Sequence, residues 1–544
     1  MGRKKDGRKN IPWKNILRRA VLFAAAVLCL LAAGCQREED FTQKPKYLKS
    51  ATYFSDEWVV NFWNTESDNL EAELKQIADD GFNSIILVVP WREFQPQMDP
   101  ISYNEYAFEK LDQVMEAAKA QGLWVSLRVG YTWDYWDDGT DVRERFREVM
   151  WDETVQSAWD DYVKTLYERA SAHGNLYGGF LTWEDFWSFT GYAMGLGNTQ
   201  ESVGLAQLSG YTDYLRENYS LEEISSLYAE EIADYESIYM PGQTQPALRL
   251  LYEFFDQWLN SFLAHNQEIF PDLSMEVRMD ADQVYDENGE TYWYGHEATY
   301  SCQNASYTAL MYGVPIGHIN QGERLTAEEA WTKSQQMLDQ VLQSTDGKLL
   351  YIEQFLYMDN TPGFEHNAQV LDDQVDDYIV AMADVLRDRI MGYGVWTYKN
   401  YGNNLLYNPQ FALGDSGWQL EGGAAVTEYN GSAQAELPAG GAVRNDVANE
   451  GSETYVRFTV DGEETVQVTV TLGSETQTVT AGGGETQELI FANGGTGLSF
   501  TADSLCYIDN VKVYTRIQEG QLYDIDGNEG TCIEAIRTLN RKLR

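Results

Sequence analysis

Histidine is scarce. The 544 residues hold five, and none falls into the HxxxH or HxH spacing of a paired imidazole site. No catalytic metal and no cofactor are expected. Cysteine is equally rare: Cys29, Cys35, Cys302, Cys506 and Cys532, too widely spaced for a disulfide framework or a metal motif. Basic charge is short too. Lys and Arg number 39 against 85 Asp and Glu, a net charge of −46. A surface that acidic repels phosphates, so nucleic acid is excluded as a partner and a neutral substrate fits better. Most of the charge needs no explanation beyond solvation.

Eight of the 39 basic residues stand at the start of the chain. Arg3, Lys4, Lys5, Arg8, Lys9, Lys14, Arg18 and Arg19 precede the apolar run "AVLFAAAVLCLLAAG", which leads into Cys35. A basic stretch, a short apolar stretch and small residues make a secretory signal, shorter than a comfortable span of about 20 residues. "LAAGC" resembles the lipobox of bacterial lipoproteins, with Leu31 one place earlier than usual and Ala32 in its stead. That resemblance implies a signal peptide over 1–34, a lipid on Cys35 and a protein held at the extracytoplasmic face of the cell membrane. An uncleaved membrane anchor is the alternative.

After a polar tether to residue 50, strand-like and helix-like segments alternate. "WVVNFW" (58–63) reads as the first strand, "FNSIILVVPW" (82–91) as the second, "LWVSLRVG" (123–130) as the third and "LYGGFLTW" (176–183) as the fourth. "MEVRMD" (275–280), "YTALMYG" (307–313), "KLLYIEQF" (348–355) and "GYGVWTY" (392–398) complete eight. Amphipathic helices separate most of them, including 69–81, 104–122, about 142–173, 247–270, 326–344 and 372–389. Apolar strands after helices, several of which stop at glycine, indicate parallel β/α units, and eight of them a (β/α)8 TIM barrel over 51–403.

Composition changes near residue 404. Residues 404–516 are rich in Gly, Thr and Val, with period-2 stretches such as "YVRFTVDG" and "VQVTVTLG", the pattern of an antiparallel β-sandwich. The last stretch, 517–544, ends in an amphipathic helix from about Thr531. It reads as the missing eighth helix, so the sandwich is expected between strand eight and helix eight. An unrelated tail is the rival. The sandwich ends "LLYNPQFALGDSGWQL" and "CYIDNVKVY" resemble jelly-roll carbohydrate-binding modules, although Trp418 reads as core and few aromatics remain for a sugar platform.

In such a barrel, reactive groups sit at the C-terminal ends of strands. Glu184 closes strand four and Glu353 closes strand seven. Alone, either reads as a loop charge or a helix cap. Together they are the pair that glycoside hydrolysis needs, one carboxyl to donate a proton and one to attack or activate water. The chain resembles the retaining (β/α)8-barrel glycoside hydrolases of clan A, which include family 5 cellulases and mannanases. The resemblance implies Glu184 as acid/base, Glu353 as nucleophile and Trp396 as a sugar platform. It departs at Trp183, where the clan usually has Asn, and at strands two and three, which lack the usual Arg and His.

Aromatic faces stack on sugars, so Trp91, Trp133, Trp136 and Trp183 are further candidates for substrate contact, with barrel-rim packing or loop packing the alternative. Tyr312 is a candidate to hydrogen-bond the nucleophile. Asp185 reads as a cap or a support rather than a reactive group. The expected activity is retaining hydrolysis of a β-linked poly- or oligosaccharide. A carbohydrate-binding lipoprotein without catalysis is the first alternative. A transporter's solute-binding lipoprotein is disfavoured by the eight units and the late sandwich.

Overall fold

The computed structural model describes residues 41–66, 69–132, 139–277, 283–286, 288–296, 307–310, 322–345, 347–355, 368–404, 406–450, 452–517 and 522–543. Lys44–Arg544 make up one compact unit, which holds the barrel and the sheets. The expected signal peptide and Cys35 lie outside the described residues, within which no helix is long and apolar enough to cross a membrane.

Eight parallel strands close a barrel in chain order: β1 (Leu48–Thr52), β2 (Ser84–Val89), β3 (Trp124–Val129), β4 (Leu176–Leu181), β5 (Leu273–Val277), β6 (Tyr307–Leu310), β7 (Leu349–Phe355) and β8 (Gly392–Val395). β1 pairs with both β2 and β8, which completes the ring. β2 and β3 are buried at every position, because helices cover one face and barrel-filling side chains the other. The principal helices are α1 (Leu70–Asp79), α2 (Glu105–Ala120), α3 (Glu153–Ala172), α4 (Trp183–Gly195), α5 (Leu248–Ile269), α6 (Ala327–Ser344), α7 (Val375–Arg387) and α8 (Ile533–Lys542), with shorter ones in the connections between them.

The first strand differs from expectation. Strand one is Leu48–Thr52, which begins inside the stretch read as a tether and ends two residues past it, and the apolar "WVVNFW" is instead a buried loop with a 3-10 turn at Asn61–Asn64. LKSAT carries no apolar run, since Ser50 points inward and the barrel interior here is polar. Tyr351 Oη donates to Ser50 Oγ at 2.8 Å, and Ser50 Oγ donates to Ser84 Oγ at 2.9 Å. The helical stretch 142–173 also divides, into Gly139–Glu148 and α3. Asp152 caps α3 by accepting from Thr154 N and Val155 N.

After β8 the chain runs through an all-β region. β9 (Tyr401–Asn404), β10 (Gln419–Glu421), β11 (Ala425–Tyr429), β12 (Ser432–Leu437), β13 (Ala442–Glu450) and β14 (Thr454–Asp461) come first. β15 (Val466–Leu472), β16 (Glu475–Ala481), β17 (Glu485–Phe491), β18 (Gly494–Ala502) and β19 (Cys506–Ile517) follow. They form two antiparallel sheets, β11-β12-β19-β14-β17 with β9 on β19, and β10-β13-β18-β15-β16. β14 and β15 alternate buried and less buried positions, and their inward Val456, Phe458, Val468 and Val470 share a core separate from that of the barrel.

The chain then returns. α8 packs against α7, and Ile533, Ile536 and Leu539 join the barrel core. Its register is fixed by polar contacts at the end of α1. The Asp80 carboxylate accepts from Arg537 Nε at 2.7 Å, Tyr398 Oη at 2.8 Å and Tyr523 Oη at 2.9 Å. Asn540 Nδ2 donates to the Asp80 carbonyl, and Tyr393 Oη of β8 donates to Asn540 Oδ1. Gly81 ends the α1 turn at φ +88°, where a Cβ would also meet Asn540 at 3.2 Å.

The sheets are bound to the loop after β1. Asn61 Nδ2 donates to the Leu406 carbonyl at 2.9 Å, Gly402 N donates to the Asp56 carbonyl at 2.8 Å, and Lys512 forms a buried ion pair with Glu57. Arg92 lies 4.4 Å from the centre of the Tyr407 ring.

Asp80 is 3% exposed and ties the first helix to the last. Replacing it by Ala strips the Tyr398 and Tyr523 hydroxyls of their acceptor and leaves Arg537 only its partners Glu529 and Glu534. Asp80→Ala is expected to lower unfolding free energy by about 3 kcal/mol or more in urea titration. A loss below about 1 kcal/mol would mean that α8 is held by apolar packing alone.

Candidate active site

The segment "GGFLTWEDFW" carries a buried strand into an acidic pair. β4 ends at Leu181, and Thr182 caps α4, accepting from Asp185 N at 3.0 Å. Glu184 and Asp185 therefore occupy the first helical turn rather than a strand end. Exposed backbone N–H groups and the helix dipole favour negative charge there. β4 reaches this point through a tight contact. A Cβ on Gly179 would meet the Leu127 carbonyl of β3 at 2.9 Å.

β3 supplies the opposing charge. Ser126 and Arg128 share the inward face of the strand, and Arg128 is 1% exposed. Its Nε donates to Asp185 Oδ2 at 2.9 Å and its Nη2 to Asp185 Oδ1 at 3.0 Å, a bidentate fork. The same Nη2 donates to Glu184 Oε2 at 2.8 Å. Thr182 Oγ1 donates to Asp185 Oδ2 at 2.7 Å. Burial alone would lower the guanidinium's proton affinity. The carboxylates of Asp185, Glu184 and Glu353 outweigh it and hold Arg128 protonated well above its usual range. Burial pushes the Asp185 carboxyl up and Arg128 pulls it down, with the net direction upward. Yet the Asp185 oxygens accept from Arg128 Nε, Arg128 Nη2 and Thr182 Oγ1, and the fork of a permanent cation makes the geometry that of an ion pair.

Glu353 lies on β7, also 1% exposed, with inward neighbour Tyr351 two residues before it. The β7–β8 register shifts between Ile352 and Phe355, so Glu353 sits in a bulge, a device that re-aims a side chain at a barrel rim. Its charge acts on Arg128. Two unit charges about 4 Å apart at an effective dielectric of about 20 interact by about 4 kcal/mol, so one buried cation can organise several carboxylates. Glu276, on β5, is a further fully buried carboxyl.

Trp396, expected as a sugar platform, follows β8 directly and is partly buried, 5.7 Å from Phe54 and 6.1 Å from Trp58 between ring centres. Trp58 also contacts Tyr131, whose ring lies 5.0 Å from the Arg128 guanidinium. An aromatic wall thus adjoins the charged cluster.

Two expected sugar contacts are corrected. Trp183 is fully buried, donates Nε1–H to Asp256 Oδ1 at 2.7 Å and packs on His296, Tyr252 and Phe255. Trp91 is equally buried against Phe146, Trp159 and Tyr162, and donates to Gln95 Oε1. Neither has a ring face to offer, because a helix start and a short helical turn rotate them into the layer between strands and helices. Trp133, Trp136 and Tyr312 lie outside the described residues.

Arg128 and Glu276 went unread in the sequence. Each is a charge in an otherwise apolar strand, and Arg128 stands two residues from Ser126, the inward period of a strand. That lone cation in "LWVSLRVG" was the available signal. Among the described residues no group of three or more His, Cys, Asp or Glu is arranged to hold a metal ion.

No family model and no curated protein matches the chain. Solved structures with related shape include the exo-β-1,4-mannosidase Op5Man5 from Opitutaceae bacterium strain TAV5, at 13% identity and TM-score 0.40. That match covers 65% of this chain and 52% of the mannosidase, so this chain spans about half the length of that protein. GH5_18 from Streptomyces cattleya in complex with GlcNAc gives 14% identity and TM-score 0.41 over 66% of this chain and 72% of the other. TmCBM61 in complex with β-1,4-galactotriose gives 19% identity and TM-score 0.18 over 21% of this chain and 98% of the other.

Proposed function

We propose that this chain is a glycoside hydrolase that cleaves a β-linked poly- or oligosaccharide with retention. The supporting observation is that Glu184, from the start of α4, and Glu353, from the bulge of β7, act on one buried guanidinium inside the barrel. Glu184 follows the C-terminal end of β4 and Glu353 stands two residues before the C-terminal end of β7, the end at which (β/α)8 barrels carry their chemistry. No metal or cofactor is needed for the reaction as written.

In this reading the Glu353 carboxylate attacks the anomeric carbon as the glycosidic C–O bond breaks. The Glu184 carboxyl gives its proton to the departing oxygen. The resulting glycosyl ester at Glu353 is then hydrolysed. Water gives a proton to the Glu184 carboxylate and its oxygen to the anomeric carbon, which releases Glu353. Trp396 and the aromatics beside it offer C–H contact to the sugar rings. Residues 404–516 form a carbohydrate-binding-module-like sandwich inserted between β8 and α8.

Glu353→Ala is expected to abolish hydrolysis, with azide or formate restoring part of it by occupying the vacated volume. Glu184→Ala is expected to slow poor leaving groups at least about 100-fold more than activated aryl ones, which depart without its proton. Steady-state rates over a series of aryl β-glycosides measure both. Equal slowing of all leaving groups would contradict the role of Glu184. Binding of polysaccharide without hydrolysis of any would favour a carbohydrate-binding protein.

We also place the protein at the extracytoplasmic membrane face, anchored by lipid on Cys35, on the strength of the basic, apolar and small-residue series before it. Cys35→Ala is expected to abolish incorporation of radiolabelled palmitate and to release the protein from the membrane fraction. Unchanged labelling in that variant would remove the anchor.

A further inference from the structure

Glu184 faces a difficulty that the geometry itself raises. An acid must hold its proton until the leaving oxygen needs it, yet Arg128 Nη2 lies 2.8 Å from Glu184 Oε2. A cation at that distance favours the charged carboxylate, and so does the first turn of a helix. Something must offset it.

The structure assigns that part to Asp185: it is a positioning residue whose buried negative charge cancels Arg128, so that Glu184 can carry a proton. The inference rests on the reading of Glu184 as acid/base. Asp185 takes two of the guanidinium's hydrogen bonds and Glu184 one. Asp185 is fully buried, whereas the Glu184 side chain keeps 16% of its surface. The permanent charge partner is thus the buried residue, and the group that exchanges a proton is the one with access to solvent or substrate. Thr182 Oγ1 donates to Asp185 Oδ2, and Thr132 Oγ1 donates to the Asp185 carbonyl at 3.1 Å. The carboxylate is held from several sides.

The surrounding charges do not take over this task. Glu353 on β7 also acts on Arg128 and is charged while Glu184 waits to donate, but that charge is lost in the glycosyl ester, whereas Asp185 keeps its own through both steps. Glu276 is a buried carboxyl of β5, a strand that packs on α4. On the helix Gly139–Glu148, Arg145 Nη1 donates to the Gln95 carbonyl at 2.7 Å and Arg147 lies over the Tyr192 ring. Asp256 on α5 receives Trp183 Nε1 and contacts His296.

Removing Asp185 leaves Arg128 uncancelled and makes Glu184 lose its proton at lower pH. Removing both should leave Glu184 nearly where it was. The test is a pH titration of the full chain labelled with 13C at glutamate carboxyls, with Glu184→Gln identifying the resonance. Asp185→Asn is expected to lower the Glu184 midpoint by about one unit, a tenfold change in its ionisation constant. The double variant Asp185→Asn/Arg128→Gln, which removes the paired cation and anion together, is expected to return it to within about 0.5 unit of the parent. An unmoved midpoint in Asp185→Asn, or a midpoint more than about one unit above the parent in the double variant, overturns the proposal. If Asp185→Asn does not fold, Arg128→Gln is compared with the double variant: the midpoint with Asp185 present is expected about one unit higher, and equal midpoints overturn the proposal.

A parallel arm uses phenyl and 4-nitrophenyl β-glycosides of glucose, mannose and galactose. The alkaline limb of kcat/KM should move with the titration for the phenyl series only. A midpoint that shifts in a protein inactive on every substrate refutes the hydrolase reading and leaves the cancellation standing. Activity with an unmoved midpoint does the reverse.

Discussion

A guanidinium that is only 1% exposed cannot remain without counter-charge, and Arg128 sits inside a barrel whose strands are rich in Ile, Val and Leu. An isolated buried cation would cost several kcal/mol even after relaxation. The fold meets this constraint by ending β4 in a capped helix whose first turn carries two carboxylates, and by bulging β7 so that a third acts on the same charge. The close β3–β4 approach at Gly179 places the cation near the helix start. Structural and chemical requirements therefore meet in one cluster. The charges that keep Arg128 buried include the two carboxylates proposed above to cleave the glycosidic bond.

The same economy governs the far side of the barrel. The chain leaves after β8, builds two sheets with a core of their own, and returns with α8 against α7. Asp80 receives the returning segment through Tyr523 and Arg537 and the strand-eight side through Tyr398. A single carboxylate at the end of the first helix thus links the beginning and end of the chain. The sheets are held at the β1 loop by Glu57–Lys512 and Asn61–Leu406, so they adjoin the loop that carries Trp58 into the aromatic wall.

Much of this was legible in the amino-acid order. β2, β3 and β7 announce themselves as apolar runs because both their faces are covered, and the change to alternating Thr and Val marks the sheets. β1 did not, because "LKSAT" faces a polar barrel floor and has no hydrophobic signature; the apolar "WVVNFW" that took its place packs as a loop. Glu184 and Glu353 were read at strand ends, whereas Glu184 stands in the first turn of α4 and Glu353 in the bulge of β7. The fate of Trp183 and Trp91 was not legible, since the turn from strand to helix decides which way a ring points, and a one-residue rotation sends it into the core. Arg128 is the instructive omission. Its significance comes from contacts across 56 and 57 residues, to Glu184 and Asp185, which no local pattern encodes.

The central claim is that Glu353 becomes covalently bonded to sugar while Glu184 moves the proton. The most direct measurement is mass spectrometry of the protein after treatment with 2,4-dinitrophenyl 2-deoxy-2-fluoro-β-glycosides, whose fluorine slows release of the glycosyl ester. One added sugar is predicted, mapped to the peptide containing Glu353, and none in Glu353→Ala. A sugar found on the Glu184 peptide would contradict the claim, as would hydrolysis that yields the inverted anomer with no adduct.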